Sequence, residues 1–182
     1  MAMNRVQFQP GLSMAEFFAQ FGTEAQCESA LAATRWPDGF RCPRCNASAH
    51  CLLRARSRPL FQCNACRHQA SLIAGNVFQG TKLSLHRWFL AIYLISQAKA
   101  GLSALALMRH LGVSYQTAWL VHHKLMAVMT AREERYVLEG QVQIDDAYLG
   151  GERNGGTAGR GSENKVPFIA AVSLTDDGRP VR

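Results

Sequence analysis

The sequence predicts a mixed α+β chain of several small modules. Three observations predict it. Four cysteines in two tight pairs, Cys42-Pro-Arg-Cys45 and Cys63-Asn-Ala-Cys66, stand seventeen residues apart. Apolar residues recur at helical spacing on both sides of them, at Phe17, Phe21 and Leu31 and again at Trp88, Ile92 and Ile95. Further on the period changes: Gln141-Val-Gln-Ile-Asp-Asp-Ala-Tyr148 alternates polar and apolar residues, as a half-buried strand does. At 182 residues the chain has room for one ordinary domain or a few small ones.

Residues 1–39 read as an N-terminal helical segment. Ser13 with Glu16, and Thr23 with Gln26, have the spacing of capping boxes, so two short helices are expected between 13 and 34. Phe17, Phe18, Phe21, Cys27, Ala30 and Leu31 supply an apolar stripe read as core, with Cys27 a small apolar packing residue. Trp36-Pro-Asp-Gly39 then ends the second helix.

Residues 40–72 hold the two cysteine pairs. Paired thiolates at this spacing are the ligand set of a tetrahedral all-cysteine zinc site, with Cys42, Cys45, Cys63 and Cys66 on two knuckles of a zinc ribbon. A disulfide framework is the alternative. The first residues, Met-Ala-Met-Asn-Arg, lack the apolar core of a secretory signal, which favours reduced cysteines and zinc. Four thiolates leave no open coordination position, so the metal is expected to be structural. His50 and Cys51 lie between the knuckles and are not needed as ligands, and His68 reads as surface or a phosphate contact.

The formal charge of +7 is concentrated here: residues 41 to 70 hold Arg41, Arg44, Arg54, Arg56, Arg58 and Arg67 and no acidic residue. A basic knuckle points to a polyanion, with Arg41, Arg44 and Arg67 as candidate DNA contacts. No uninterrupted apolar run, the longest being Trp88 to Ile95, approaches the roughly 20 residues of a membrane span. The reading is a cytoplasmic, nucleoid-associated protein with no membrane partner.

Residues 73–136 are predicted helical. One helix runs from Ser84 to about Ala100 and stops at Gly101, with Trp88, Phe89, Ile92 and Ile95 as its buried residues. Ser103 to Leu111, Gly112-Val113 and Ser114 to Met126 then form a capped helix, a glycine turn and a second capped helix, the pattern of a helix-turn-helix. Ala106, Leu111, Val113, Ala118 and Val121 fall where the helices pack closely. Tyr115, Gln116, Thr117 and Trp119 are left to meet a major groove, and His122, His123 and Lys124 to meet phosphates. An ordinary helical hairpin is the other reading of these residues.

Residues 137–182 form a region of strands. Val142 and Ile144 face one side of the first, Gln143 and Asp145 the other. The glycine-rich stretch from Gly150 to Lys165 lacks the order of a nucleotide P-loop. An apolar strand, Val166 to Leu174, leads to Thr175-Asp-Asp-Gly-Arg, with Asp177-Gly178 the hairpin signal before a strand opening at Val181.

The order of zinc ribbon, helix-turn-helix and then Ile144-Asp-Asp-Ala-Tyr-Leu-Gly-Gly151 resembles bacterial insertion-sequence transposases of the ISXO type. The resemblance starts near Ala25. It includes Arg35-Trp-Pro-Asp-Gly-Phe-Arg-Cys-Pro-Arg-Cys45, Ala74-Gly-Asn-Val-Phe-Gln-Gly-Thr-Lys82 with Trp88, and Gly159-Arg-Gly-Ser-Glu-Asn-Lys-Val166. It implies that 137–182 is the start of a ribonuclease-H-like α/β domain with DDE nuclease chemistry. On the family's pattern Asp145 matches the catalytic, magnesium-binding aspartate, and Asp146 replaces the usual glutamate. The implied mechanism is phosphoryl transfer by two Mg2+ ions about 3.5–4 Å apart, held by three acidic groups.

A second aspartate on a later strand and a third acidic residue on a helix are absent from the sequence. Asp176 and Asp177 read as turn residues, where aspartate is ordinary. The chain is therefore expected to be a truncated transposase, catalytically incomplete alone. The implied partners are DNA, at the element's terminal inverted repeats, and further copies of the chain. The alternatives are a DNA-binding regulator or inhibitor of transposition that uses only the ribbon and helix-turn-helix, and a zinc-ribbon module that binds protein.

Overall fold

The computed structural model describes residues 11–53, 58–98, 101–150, 165–176 and 178. These fall into two compact units, one of described residues up to Ala131 and the other from Arg132 onward.

The first unit opens with α1 (Met14–Phe21) and α2 (Glu24–Arg35). Both expected capping boxes form. Ser13 Oγ accepts from the Glu16 amide at 3.2 Å while Glu16 accepts from the Ser13 amide at 2.8 Å, and Thr23 and Gln26 repeat the exchange at 3.3 and 2.9 Å. Helix α1 buries Phe17 against Tyr93 and sets Phe21 beside Phe89, with ring centroids 4.7 and 5.3 Å apart. Phe18 was expected in the same stripe but is 47% exposed. Phe17 and Phe21 lie one turn apart on the packed side, and Phe18 points about 100° away from Phe17.

A three-stranded antiparallel sheet follows, in the order β1 (His50–Leu53), β2 (Leu60–Cys63), β3 (Gln69–Ser71). His50 pairs with Cys63, and Gln62 with Gln69. Its core is Phe40, Phe61, Ala70 and Leu72 with Cys42 and Cys63, walled by Trp36, whose ring lies 5.0 Å from Phe40 and 4.7 Å from Phe61. So small a core gains from a metal staple.

The link from sheet to helix is tied to itself and to Trp88. Asn76 donates to Leu72 O and accepts from the Phe78 amide, Gln79 accepts from the Gly75 amide, and Thr81 Oγ1 accepts from Trp88 Nε1 at 2.9 Å. Phe78 meets the Trp88 ring edge-on. Three helices complete the unit: α3 (Leu85–Gln97), α4 (Ala104–Leu111) and α5 (Tyr115–Glu133). Their shared core contains Leu85, Trp88, Ala91, Leu107, Leu111, Ala118, Val121 and Leu125, joined by Cys27 and Phe78. Helix α3 ends at Gln97, short of the expected Ala100, and Ile92 is exposed because α3 packs through Leu85, Trp88 and Ala91 instead. Between α4 and α5, Gly112 takes a left-handed φ of 61°, which a residue with a Cβ rarely adopts.

The second unit contains one antiparallel hairpin, β4 (Gln141–Leu149) with β5 (Val166–Leu174), paired from Gln141↔Leu174 to Leu149↔Val166. Both strands stand where expected, but β4 is not half-buried: Ile144 is 67% and Ile169 on β5 75% exposed. Two strands by themselves bury little besides their shared edge. After β5, Gly178 (φ 71°) donates its amide to Thr175 O at 2.8 Å. Asp177, Val181 and residues 151–164 of the glycine-rich stretch lie outside the described residues.

Candidate metal centre and nucleic-acid interface

The two cysteine pairs fold into matching knuckles. Cys42 O accepts from the Asn46 amide at 2.9 Å and Cys63 O from the Arg67 amide at 3.0 Å. The Cys42 amide donates to Ala47 O and the Cys63 amide to His68 O, five residues on in each case. The residue after each pair, Asn46 or Arg67, sits in left-handed backbone at φ 59°. This geometry turns all four sulfurs inward. Cys42 and Cys66 Sγ are 3.6 Å apart, Cys45 and Cys63 Sγ 3.5 Å, and all four lie within 4.8 Å of one another. A tetrahedral zinc with Zn–S bonds of about 2.3 Å sets its sulfurs about 3.7 Å apart, so the ligand set fits the ion. His50 turns away, its ring 4.6 Å from Phe40, and Cys51 is exposed, so neither joins the set.

Backbone amides prepare the site for thiolates. At Cys63 the Cys66 amide, opposed by burial and aided by the Ala65 amide, brings the thiol down to about 6. At Cys42 burial is the largest influence, yet the Arg44 and Cys45 amides outweigh it and the thiol is lowered. At Cys45 the Ala47 amide is outweighed by the neighbouring Cys66 and Cys63 sulfurs, and the thiol is pushed up to about 12. Without a cation, charge concentrates on one side of the cluster; a bound zinc takes all four as thiolates. Cys27 is separate: it is fully buried, its thiol is raised to about 11 chiefly by burial, and it donates weakly to Phe21 O.

No aspartate or glutamate occurs between Asp38 and Glu133, so the two knuckles and the three helices as far as Arg132 carry basic charge alone. Arg41, Arg44 and Arg67 are exposed around the knuckles. Arg58, grouped with them by sequence, does other work. Its guanidinium donates to Thr81 O at 2.9 Å and to Leu83 O, and lies 3.8 Å from the Glu24 carboxylate. Arg35 likewise ties α2 to the end of the sheet, donating to Leu72 O and Ala74 O. No signal in the sequence marks these two arginines off from the exposed ones. Arg54 and Arg56 lie outside the described residues.

On α5 the structure brings together most of the residues the sequence singled out. Tyr115, Gln116, Trp119 and His123 are exposed, and the Trp119 and His123 rings are in contact, tilted by 39° with centroids 3.9 Å apart. Leu120, not singled out, is 52% exposed beside them. Thr117 is half-buried and engages Ser114 at the start of the helix, and Lys124 reaches back to place its ammonium 6.0 Å from the Trp88 ring.

In the hairpin, Asp145 lies opposite Ala170 and Asp146 opposite Ile169. Adjacent strand residues face opposite sides, so the two carboxylates cannot converge on one ion. Among the described residues the four cysteines alone form a group of three or more side chains able to hold a metal ion. No helix among the described residues is long and apolar enough to cross a membrane.

Comparison with known proteins agrees with the ribbon geometry. Residues 22–69 match the transposase zinc-ribbon domain family. The chain is 31% identical over 169 residues to an uncharacterized protein in transposable element ISH50 of Halobacterium salinarum. That match covers 83% of this chain and 55% of the relative, so the chain spans about half the relative's length. No solved structure matches significantly. The chain is thus similar, through its ribbon, to the zinc-ribbon domain of transposases and, along most of its length, to a protein of a transposable element.

Proposed function

We propose that this chain is the DNA-holding front of an insertion-sequence transposase. The ribbon and the α4–α5 pair grip duplex DNA at the element's terminal inverted repeats, and Asp145 contributes one carboxylate to a DDE-type centre completed by other residues. The observation that carries the reading is the acid-free stretch from Asp38 to Glu133, which coincides with a transposase zinc ribbon and a helix–glycine turn–helix. Such a surface neutralises phosphates and releases counterions. The α4–Gly112–α5 arrangement supports a helix-turn-helix role, since it leaves one side of the first two turns of a long helix exposed.

An antiparallel hairpin with an aspartate midway along its first strand suits the opening of a ribonuclease-H-like sheet, the implied source of the nuclease chemistry. The uncovered apolar faces of that hairpin support packing against further strands or another copy, in line with self-association on paired DNA ends.

The reading is tested by fluorescence anisotropy of the zinc-loaded chain on a labelled duplex from an element end and on a scrambled duplex, over rising salt. Affinity that falls steeply with salt and favours the element end supports it. Binding absent at low salt, or indifferent to salt, overturns it in favour of a protein-binding ribbon. Asp145→Ala is expected to leave DNA affinity unchanged.

A further inference from the structure

The exposed stripe of α5 has an unusual chemistry for a helix in so basic a protein. Trp119 and Leu120 lie three and four residues after Gln116, and His123 lies four and three after them, so the four share one side of the helix, opposite buried Ala118, Val121 and Leu125. Tyr115 flanks them at 50% exposure, and Trp119 and Leu120 are similarly open. The stripe holds no lysine, arginine, aspartate or glutamate. Lys124, the nearest cation on α5, lies off the stripe and reaches back toward the Trp88 ring. Off α5, the last turn of α4, just before the glycine turn, carries Arg109 and His110.

Base edges in a major groove differ in what they ask of a side chain. Guanine is read by the paired donors of arginine or lysine, and cytosine by a carboxylate acceptor. Adenine offers an N7 acceptor beside an N6 donor, which a glutamine amide matches, and the thymine methyl takes apolar contact. Resting on the DNA-binding reading above, we propose that this stripe reads A·T base pairs, with Gln116 on adenine and Trp119 and Leu120 against thymine methyl groups. His123, whose ring packs against Trp119 at a tilt, supports the indole from one side. The flanking cations supply the phosphate contacts and carry no base preference.

The test is selection of bound duplexes from a randomised pool by the full zinc-loaded chain, followed by anisotropy on the selected duplex with deoxyuridine in place of thymidine. Selection is expected to yield a run of A·T pairs. Removing the methyl groups is expected to weaken binding about 5-fold or more, within the range of a good base contact. Trp119→Ala is expected to weaken binding to the thymidine duplex and to abolish the difference between the two. Gln116→Ala is expected to relax the preference for adenine, and Arg109→Ala to weaken all duplexes alike. Salt-sensitive binding with no A·T enrichment, or with no response to the lost methyls, overturns this inference and leaves the DNA-binding reading standing. No salt-sensitive binding to any duplex overturns both.

Discussion

The carboxylate of Glu24, in the first turn of α2, caps a helix that begins sixty-one residues later: its Oε1 accepts from the Leu85 amide at 2.8 Å. Its Oε2 accepts from the His86 amide at 3.0 Å, and Arg58 lies 3.8 Å away. One acidic group thus answers two free amides at the N-terminus of α3 and a guanidinium arriving from the ribbon. Glu24→Ala is expected to lower stability by about 1–2 kcal/mol, as loss of a helix cap does. Glu24→Gln, which keeps an acceptor and loses the charge, is expected to fall between. Urea unfolding of the zinc-loaded chain measures both, and an unchanged midpoint for Glu24→Ala would remove the cap from the account of how α2, α3 and the ribbon are joined.

The sulfur geometry predicts one zinc per chain. Cys63→Ser is expected to lose the ion and unfold the ribbon, whereas Cys51→Ser and Cys27→Ala are expected to keep it. Metal analysis after gel filtration decides the matter. Retained zinc in Cys63→Ser would mean that another group can take its place.

Protons should report the uneven thiols. With Cys63 at about 6 and Cys45 at about 12, the metal-free cluster at pH 8 already carries a thiolate at Cys63 and a proton at Cys45. Zinc uptake at pH 8 is therefore expected to release fewer than four protons, read from the buffer dependence of the calorimetric heat. Because the Cys63 value is depressed from 9.0, its contribution to folding is complete above 9.0 and is lost as pH falls through about 6. Release of four protons would contradict a preformed thiolate.

Arg67 occupies the left-handed position that Asn46 takes in the sister knuckle. Arg67→Asn should therefore preserve the turn while removing a charge. If Arg67 touches phosphate, the slope of log affinity against log salt is expected to shrink by about 1. The same change is expected for Arg41→Ala and Arg44→Ala, but not for a cation that serves the fold. An unaltered slope for all three would move the DNA surface away from the ribbon.

Ile144 and Ile169 share one face of the hairpin and are largely exposed. Replacing both by lysine is expected to shift the chain to smaller species in sedimentation velocity while leaving zinc content unchanged. Unchanged sedimentation would show that this face is not where copies meet.

Much of the local structure was legible because its causes are local. The capping boxes at Ser13 and Thr23, the two knuckles, the left-handed Gly112 and the alternation of β4 all depend on residues within a few positions of one another. The ligand set was legible for the same reason: each cysteine pair forms its own turn, and only the meeting of two such turns is long-range. Side-chain exposure was less legible. Phe18 and Ile92 look like core by periodicity, yet α1 and α3 bury other sides, because the packed side is chosen by whichever helix lies opposite.

By itself, then, the sequence determined the order of the elements, the two cysteine pairs that could hold a metal and the acid-free charge from Asp38 to Glu133, since these follow from neighbouring residues and composition. Only the tertiary structure decided what each charge is for. Arg58 turned inward to Thr81, Leu83 and Glu24 while Arg41, Arg44 and Arg67 stayed in solvent. A guanidinium's partner is set by which distant carbonyls lack a donor, and that becomes known only when the chain has brought them together.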